Sequence, residues 1–239
     1  MISVAMATYN GEKHITKQVL SILKCLSEED EIIVSDDGSC DGTIAILEGM
    51  EDKRIKIIQG PRLGINKNFE NAISHCRGDY IFLSDQDDEW LPEKINIVMK
   101  NFKNNECILI MHDAVVLNEN NIIIDESFFF RRNVKHGVIN NIVKGSYHGC
   151  CMAFSRELIK YILPIPKAGF YHDQWIGVIS EYYNHTVFIN DKLIKYYRRG
   201  NNCSSYEKHL PVLKQIKNRI ELIFFLLYRS FSKYGIKIK

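Results

Sequence analysis

The first hundred residues alternate short apolar runs with segments of helical spacing, and that rhythm leaves few folds open. Ile2–Ala7, Glu31–Ser35, Ile55–Gln59 and Tyr80–Ser84 read as strands. Glu12–Leu26, Thr43–Met50, Asn66–Cys76 and Pro92–Phe102 read as helices, the last with proline at its start. Ile15, Val19, Leu20, Ile22 and Leu23 share one helical face, and Phe69, Ala72 and Ile73 share another. A parallel strand pair needs a crossover, and a helix supplies it. The expected class is therefore α/β, with a Rossmann-like, mostly parallel central sheet and helices on both faces. Such sheets bind ligands just outside the carboxyl ends of their strands.

Polar turns follow the strands at those ends. The segment Tyr80–Pro92, YIFLSDQDDEWLP, delivers Asp85, Asp87 and Asp88 directly off an apolar run. Crowding carboxylates is costly unless a cation sits among them. A hard divalent ion that also holds a diphosphate would meet that need, since Mg²⁺ and Mn²⁺ prefer oxygen ligands. The plainer account is a solvated acidic helix start, with Asp88 best placed to begin the helix. After the first strand, Ala7-Thr8-Tyr9-Asn10-Gly11 is small and polar enough for backbone and hydroxyl groups to approach a ligand, although an ordinary turn would read the same. After the second comes Ser35–Thr43, SDDGSCDGT. Gly38 permits a tight turn and Asp41 suits a helix cap. The adjacent Asp36 and Asp37 read as acceptors for a nucleobase imide N–H or ribose hydroxyls, or else as solvated turn aspartates.

The second half is organised differently. Cys107–Leu117 and Ile122–Asp125 read as strands around an Asn-rich turn, and Phe128–Gly145 as a basic, aromatic loop-and-helix region. Gly149–Phe154, Thr186–Ile189 and Leu193–Tyr197 read as strands, Asp173–Tyr183 as a helix and Gly200–Ser205 as a loop. Leu210–Lys239 is one helical pattern with a basic end, which looks like an appendage. Within it Leu222–Tyr228 is apolar nearly all round, too short to span a bilayer, and suited either to a membrane interface or to packing on protein.

At 239 residues the chain is long enough for a substantial single core. A net charge of +2 gives no argument for nucleic acid as the main partner. Seven scattered cysteines, without a CxxC pair, fit reduced thiols better than a disulfide framework or zinc site. The N-terminus reads as a strand and turn rather than a signal peptide, and no apolar run reaches transmembrane length. The expected location is cytoplasmic, including the cytoplasmic face of a membrane.

Taken together, ATYNG, VSDDGSCDGT and GDYIFLSDQDDEWLPEK resemble glycosyltransferase family 2, the inverting enzymes of the GT-A fold. The branch that carries DQDD-x-W, often termed rhamnosyltransferase-like, is the most similar. The resemblance covers roughly residues 1–205, with a nucleotide-sugar half over 1–104, an acceptor half over 105–205 and a helical tail over 206–239. It implies that Thr8 and Asp37 contact the nucleotide base, with Tyr9 and Asn10 nearby. Asp85 would meet the ribose and order the metal site, and Asp87 would ligate Mn²⁺ or Mg²⁺ on the diphosphate. In Tyr171-His172-Asp173-Gln174-Trp175, read by spacing alone as an N-cap, Asp173 matches the family's general base. Trp175 is then expected to stack on a sugar face, and His172 is a structural histidine or an orienter of the aspartate. Gly149 and Cys150 match a segment that walls the acceptor pocket. Tyr196–Asn202 departs from the family's Tyr-Arg-x-His-Gly-x-Asn pattern: Tyr197 stands where Arg is common and Arg199 where His is. Arg199 is the guanidinium expected to reach the diphosphate, against a plain reading as a solvated basic turn.

The implied activity is inverting transfer of a sugar, rhamnose being one candidate, from a dTDP- or UDP-linked donor. The acceptor would be a saccharide or lipid-linked saccharide, and the pathway bacterial surface polysaccharide such as O-antigen or capsule. Two other classes fit parts of the pattern. A nucleotidyltransferase should carry a Gly-rich, basic phosphate loop, which ATYNGEK lacks. A silent carbohydrate-binding or scaffold protein would have no use for Asp37, Asp85, Asp87 and Asp173 together.

Overall fold

The computed structural model describes residues 1–183, 185–199 and 211–233. Its elements run β1 (Ile2–Thr8), α1 (Ile15–Leu23), β2 (Glu31–Asp36), α2 (Thr43–Glu48), β3 (Ile55–Gln59), α3 (Ile65–His75), β4 (Tyr80–Ser84), β5 (Glu89–Trp90) and α4 (Lys94–Asn104). The second half adds β6 (Leu109–Leu117), β7 (Ile123–Asp125), α5 (Phe128–Arg132), α6 (Val138–Val143), β8 (Met152–Ser155), α7 (Ile159–Ile162), α8 (His172–Tyr182), β9 (Thr186–Tyr197) and α9 (Val212–Lys233). One sheet joins both halves in the order β3-β2-β1-β4-β8-β6-β9-β5, with β7 paired to β6. Strands β1 to β4 are parallel, β8 runs antiparallel between β4 and β6, and β6 and β9 are parallel. The α/β expectation is met.

The sequence explains this core directly. Every residue of β1 and β2 is buried, as expected of strands covered on both faces. The chain steps from β1 to β2 to β3 and then returns to the other side of β1 for β4. That reversal opens a crevice between the ends of β1 and β4.

Several boundaries differ from the sequence reading. Gly149–Cys151 forms a 3-10 turn, and strand begins only at Met152. Thr186–Tyr197 is one strand, not two. His112 pairs with Ile189 but Asp113 with Lys192, so Asn190 and Asp191 bulge out and interrupt the apolar pattern. Asp88 does not begin a helix. It is buried and accepts from Tyr197 N at 3.1 Å, and α4 starts at Lys94. The Gly200–Ser205 loop and both ends of the tail, with Lys237 and Lys239, lie outside the described residues. Six cysteines are free thiols, and Cys203 lies outside the described residues. No helix among the described residues is long and apolar enough to cross a membrane.

Glu31 ties the parallel N-terminal half together from the end opposite the crevice. Its buried carboxylate accepts from Lys56 Nζ at 2.6 Å, Ser3 Oγ at 2.7 Å and Arg77 N at 2.7 Å. Burial alone would push its carboxyl up, but these partners outweigh it and hold it at about 2, against an ordinary 4.5. Such a group stabilises the fold above pH 4.5, and that contribution is lost as pH falls through about 2. Urea midpoints measured across this window should fall steeply in the native chain and more gently in Glu31→Gln. Parallel curves would show that Glu31 does not carry the acid sensitivity.

Candidate active site

The crevice is a cavity of about 1090 Å³, and Thr8, Asp37, Asp85, Asp87, Gly149, Asp173 and Arg199 are among its lining residues. Tyr9 and Asn10 also line it. Residues from both ends of the chain thus share one space, because the carboxyl ends of β1, β2, β4 and β9 meet there.

At one end the turns that follow β1 and β2 interlock. Asp36 is saturated: Thr8 Oγ1 donates to it at 2.9 Å, Gly38 N at 3.0 Å, and Ser39 N and Oγ at 2.7 and 2.6 Å. It builds the turn and has nothing left for a ligand. Thr8 is buried with its hydroxyl committed to Asp36, so it positions the turn rather than offering its proton to a base. Asp37 is different. Gly64 N donates to its Oδ2 at 2.8 Å, while Oδ1 is buried without a partner. An orphan carboxylate oxygen facing a cavity is an acceptor waiting for a donor. Asn10, at a φ of 49°, takes Cys40 N on its Oδ1 and gives its own N–H to Ser39 Oγ. Tyr9 is clamped on the other side, its N–H donating to Gln86 Oε1 at 2.9 Å and its carbonyl accepting from Gln86 Nε2 at 3.1 Å. A Cβ at Gly11 would lie 2.5 Å from that Gln86 oxygen, so a side chain there would push the Gln86 amide off the Tyr9 backbone.

The acidic centre lies between the ends. Burial first, then the charges of Asp88, Asp87 and Asp173, push the Asp85 carboxyl well up. Burial and Asp87 raise Asp88 to about 7, against the pull of the Cys150 thiol, Tyr197 N and Arg199. Asp87 is also raised by burial, while Arg199 and His14 draw it back. The Arg199 guanidinium pairs with Asp87 Oδ2 at 2.9 Å and also donates to the Asp87 carbonyl. Tyr197 cannot play that part, because its hydroxyl accepts from Lys17 Nζ at 2.7 Å and donates to Glu89 at 3.1 Å. Gly200, Asn201 and Asn202 of the same turn lie outside the described residues.

From below, Lys94 reaches the cluster. It is fully buried, donates to the Cys150 carbonyl at 2.8 Å and lies 4.1 Å from the Trp90 ring centroid. Burial lowers its ammonium to about 8, with nearby thiols and Asp88 resisting. A buried cation beneath an acidic cluster offsets part of its repulsion.

The residues fit a hard divalent ion. Asp85 and Asp87 present carboxylate oxygens to the cavity, and the buried Asp88 Oδ2 has no partner. Single ligand atoms of Asp85, Asp88 and Cys150 lie within 4.8 Å of one another. Burial pushes the Cys150 thiol well up, so it stays protonated and the oxygens are the better donors.

At the other end, α8 begins with His172 and Asp173. Gln174 N donates to Asp173 Oδ1 at 2.7 Å. Burial raises this carboxyl to about 6, and the Gln174 and Gly149 N–H groups limit the rise. His172 stacks on Phe69 with centroids 3.9 Å apart, and burial lowers it to about 3, so the ring is held neutral. A Cβ at Gly149 would lie 2.8 Å from His172 Nε2. Glycine therefore lets the 3-10 turn close on α8.

Two expectations are corrected here. Trp175 is fully buried, stacked with Phe170, and its indole N–H donates to the Ile162 carbonyl at 2.8 Å; it cannot stack on a sugar. Cys150 is also fully buried and does not line the cavity; Gly149 and His148 form the wall. Gln86 and Lys94 were beyond sequence reasoning, since each owes its role to a distant partner.

Comparison with known proteins gives the family and the fold. The profile described as "Glycosyl transferase family 2" matches residues 3–163. The chain is 24% identical to the UDP-Glc:alpha-D-GlcNAc-diphosphoundecaprenol beta-1,3-glucosyltransferase WfgD of Escherichia coli, over 99% of this chain and 94% of that one. It is 29% identical to the dTDP-rhamnosyl transferase RfbG of Shigella flexneri, over 82% and 72% of the two chains. Other curated relatives are longer, and the match spans 53% of an uncharacterized glycosyltransferase of Nostoc sp.. Among solved structures, S. aureus TarS 1–349 with UDP-GlcNAc superposes with a TM-score of 0.69 at 19% identity, over 97% of this chain and 72% of that one. The mannosyltransferase PcManGT of Pyrobaculum calidifontis, with GDP-Man and Mn²⁺, gives 0.63 at 17%, over 94% and 69%. At these identities the structural likeness is one of fold.

Proposed function

The chain belongs to glycosyl transferase family 2 and has the GT-A fold, and on that premise we propose that it moves one sugar from a UDP- or dTDP-linked donor to a hydroxyl of a saccharide or lipid-linked saccharide, with inversion. One observation carries the reading. A base-like carboxyl at about 6, Asp173, shares a single cavity with the Asp85–Asp87 centre and the Asp37 acceptor.

The roles follow from position. Asp37 Oδ1 accepts the imide N–H of uracil or thymine, the donor it lacks. The names of WfgD and RfbG carry UDP and dTDP, whose bases both have that imide. Asp85 and Asp87 would hold Mn²⁺ or Mg²⁺, with Asp85 also reaching the ribose. When bound, that ion supplies positive charge to the departing diphosphate. Arg199 adds a guanidinium on the same side. Asp173 takes the proton of the acceptor hydroxyl as its oxygen attacks the anomeric carbon. The bond to the diphosphate oxygen breaks in the same displacement, so no enzyme nucleophile is needed. Gly149 and His148 leave room for the acceptor sugar. WfgD's name includes a diphosphoundecaprenol-linked acceptor, which supports a lipid-linked substrate and work in surface polysaccharide assembly at the cytoplasmic face of a membrane.

Thermal stabilisation by UDP, dTDP, GDP, CDP and ADP, each with and without Mn²⁺, tests the reading. A ligand at a hundred times its Kd stabilises by about 2.7 kcal/mol, a shift of roughly 5–10 °C for a chain of this size. UDP or dTDP should give that shift only with Mn²⁺. No shift with any nucleotide would favour a silent scaffold instead.

A further inference from the structure

α9 has two apolar faces, and the fold uses only one. Leu222 and Leu226 are buried against the body of the protein, and Phe225 meets Phe170 edge-on at 6.3 Å. Polar contacts lock this orientation. Asn218 donates to the Gly169 carbonyl, Glu221 accepts from Gly169 N, Arg219 donates to the Val143 carbonyl and Arg229 donates to Leu163 and Pro164. The helix is held firmly, and its rotation about its own axis is fixed.

Its outward face is therefore a rigid apolar stripe. Leu213, Ile216, Ile220, Ile223, Phe224 and Leu227 follow helical spacing along it, and Leu213 is 83% exposed. α6, which packs on α9, adds Ile139 at 78% exposure and Val143. A stripe of this extent is unusual on a surface that meets only water.

The surrounding charge is mostly basic, although Asp125 pairs with Arg131 at 2.9 Å and Glu221 lies on α9 itself. Residues 128–147 include Arg131, Arg132, Lys135 and Lys144 and no acid. Across Val212–Lys233, Lys214, Lys217, Arg219, Arg229 and Lys233 stand against Glu221 alone. The whole chain carries only +2, so this side is basic at the expense of the rest. A second copy docked through a two-fold axis would bring like-charged rims together. An anionic lipid surface would neutralise them and cover the stripe.

We propose that the outer faces of α9 and α6 form a docking surface for an anionic bilayer, on which α9 lies flat with its apolar stripe in the interface. The helix packs on α8, whose first turn carries Asp173. The bilayer would then lie one helix away from the acceptor end of the cavity. The advantage to a lipid-linked acceptor rests on the reading above; the docking surface itself does not.

Co-sedimentation of the full chain with vesicles tests this, using phosphatidylcholine alone or mixed with phosphatidylglycerol. Binding should be at least about ten-fold tighter to the mixed vesicles. The double variant Ile220→Glu/Phe224→Glu, on exposed positions remote from the cavity lining, should lose at least about ten-fold in that binding while keeping the native melting point. Absence of binding to mixed vesicles, or equal binding by the variant, overturns the proposal. So does a dimer in light scattering that the double variant dissociates while vesicles capture neither protein. Vesicle binding without any nucleotide response would sink the transferase reading and leave this one standing.

Discussion

Asp173→Asn should lower kcat by about 10²- to 10⁴-fold while leaving the affinity for UDP or dTDP unchanged. The amide keeps an oxygen to accept the Gln174 N–H, so the first turn of α8 survives. What it loses is the lone pair that receives the acceptor's proton. The pH dependence provides a second, independent readout. Asp173 must be deprotonated to act, and burial has raised it to about 6 against the opposing Gln174 and Gly149 N–H groups. In the native enzyme kcat should therefore fall as pH drops through about 6 and level off above it. The residual rate of the variant should lack that limb. Steady-state kinetics with a fixed donor across pH 5 to 8 would decide it. A variant with near-native kcat, or one that keeps the acid limb, would remove Asp173 from the role of base.

The parallel half of the fold was legible because its inner strands β1, β2 and β4 are almost wholly buried on both faces, with only the edge strand β3 half-open. A run such as Ile2–Thr8 has no amphipathic alternative, and the helices between strands carry a single apolar stripe. The strand-end positions of Asp37, Asp85 and Asp87 followed from that alone. What stayed hidden depends on contacts across long separations. By spacing alone Asp36 and Asp37 are equivalent, the resemblance singles out Asp37, and the hydrogen bonds from Thr8 and Ser39 show why: Asp36 is spent. Lys94 sits in a stretch that reads as an ordinary helix start, yet the Cys150 carbonyl, 56 residues away, draws its ammonium inside. Trp175 misled in the opposite sense. Its neighbours His172 and Asp173 face the cavity, but one turn of helix carries the indole into the core, where Ile162 satisfies its N–H. Periodicity could not flag this, because Trp175–Ser180 are buried in an unbroken run and Trp175 shares the face of His172.

Asp87→Ala and Arg199→Ala should shift metal affinity in opposite directions, although both should impair transfer. The guanidinium holds, at 2.9 Å, the carboxylate that a divalent ion would take. Two cations cannot share those oxygens at full strength, so the pair competes with Mn²⁺ for Asp87. A hydrogen bond to a charged group contributes about 1.5–3 kcal/mol, and each 1.4 kcal/mol is roughly a tenfold change in affinity. Without nucleotide, Arg199→Ala should therefore bind Mn²⁺ about ten-fold tighter than the native chain, and Asp87→Ala should bind it more weakly. Adding UDP should reverse the order for Arg199. The donor's diphosphate gives the guanidinium a new anionic partner, so the native chain gains an interaction that Arg199→Ala lacks. Transfer by Asp87→Ala should fall at least about 10³-fold, because an unneutralised diphosphate is a poor leaving group in a cavity lined by Asp85 and Asp173. Calorimetric titration of MnCl₂ into the three proteins, with and without UDP, measures every term. Were Arg199→Ala to bind Mn²⁺ no tighter than the native chain, the ion pair would be a fixed strut of the β9 turn, and Asp85 with Asp88 would be left as the stronger candidates for the metal.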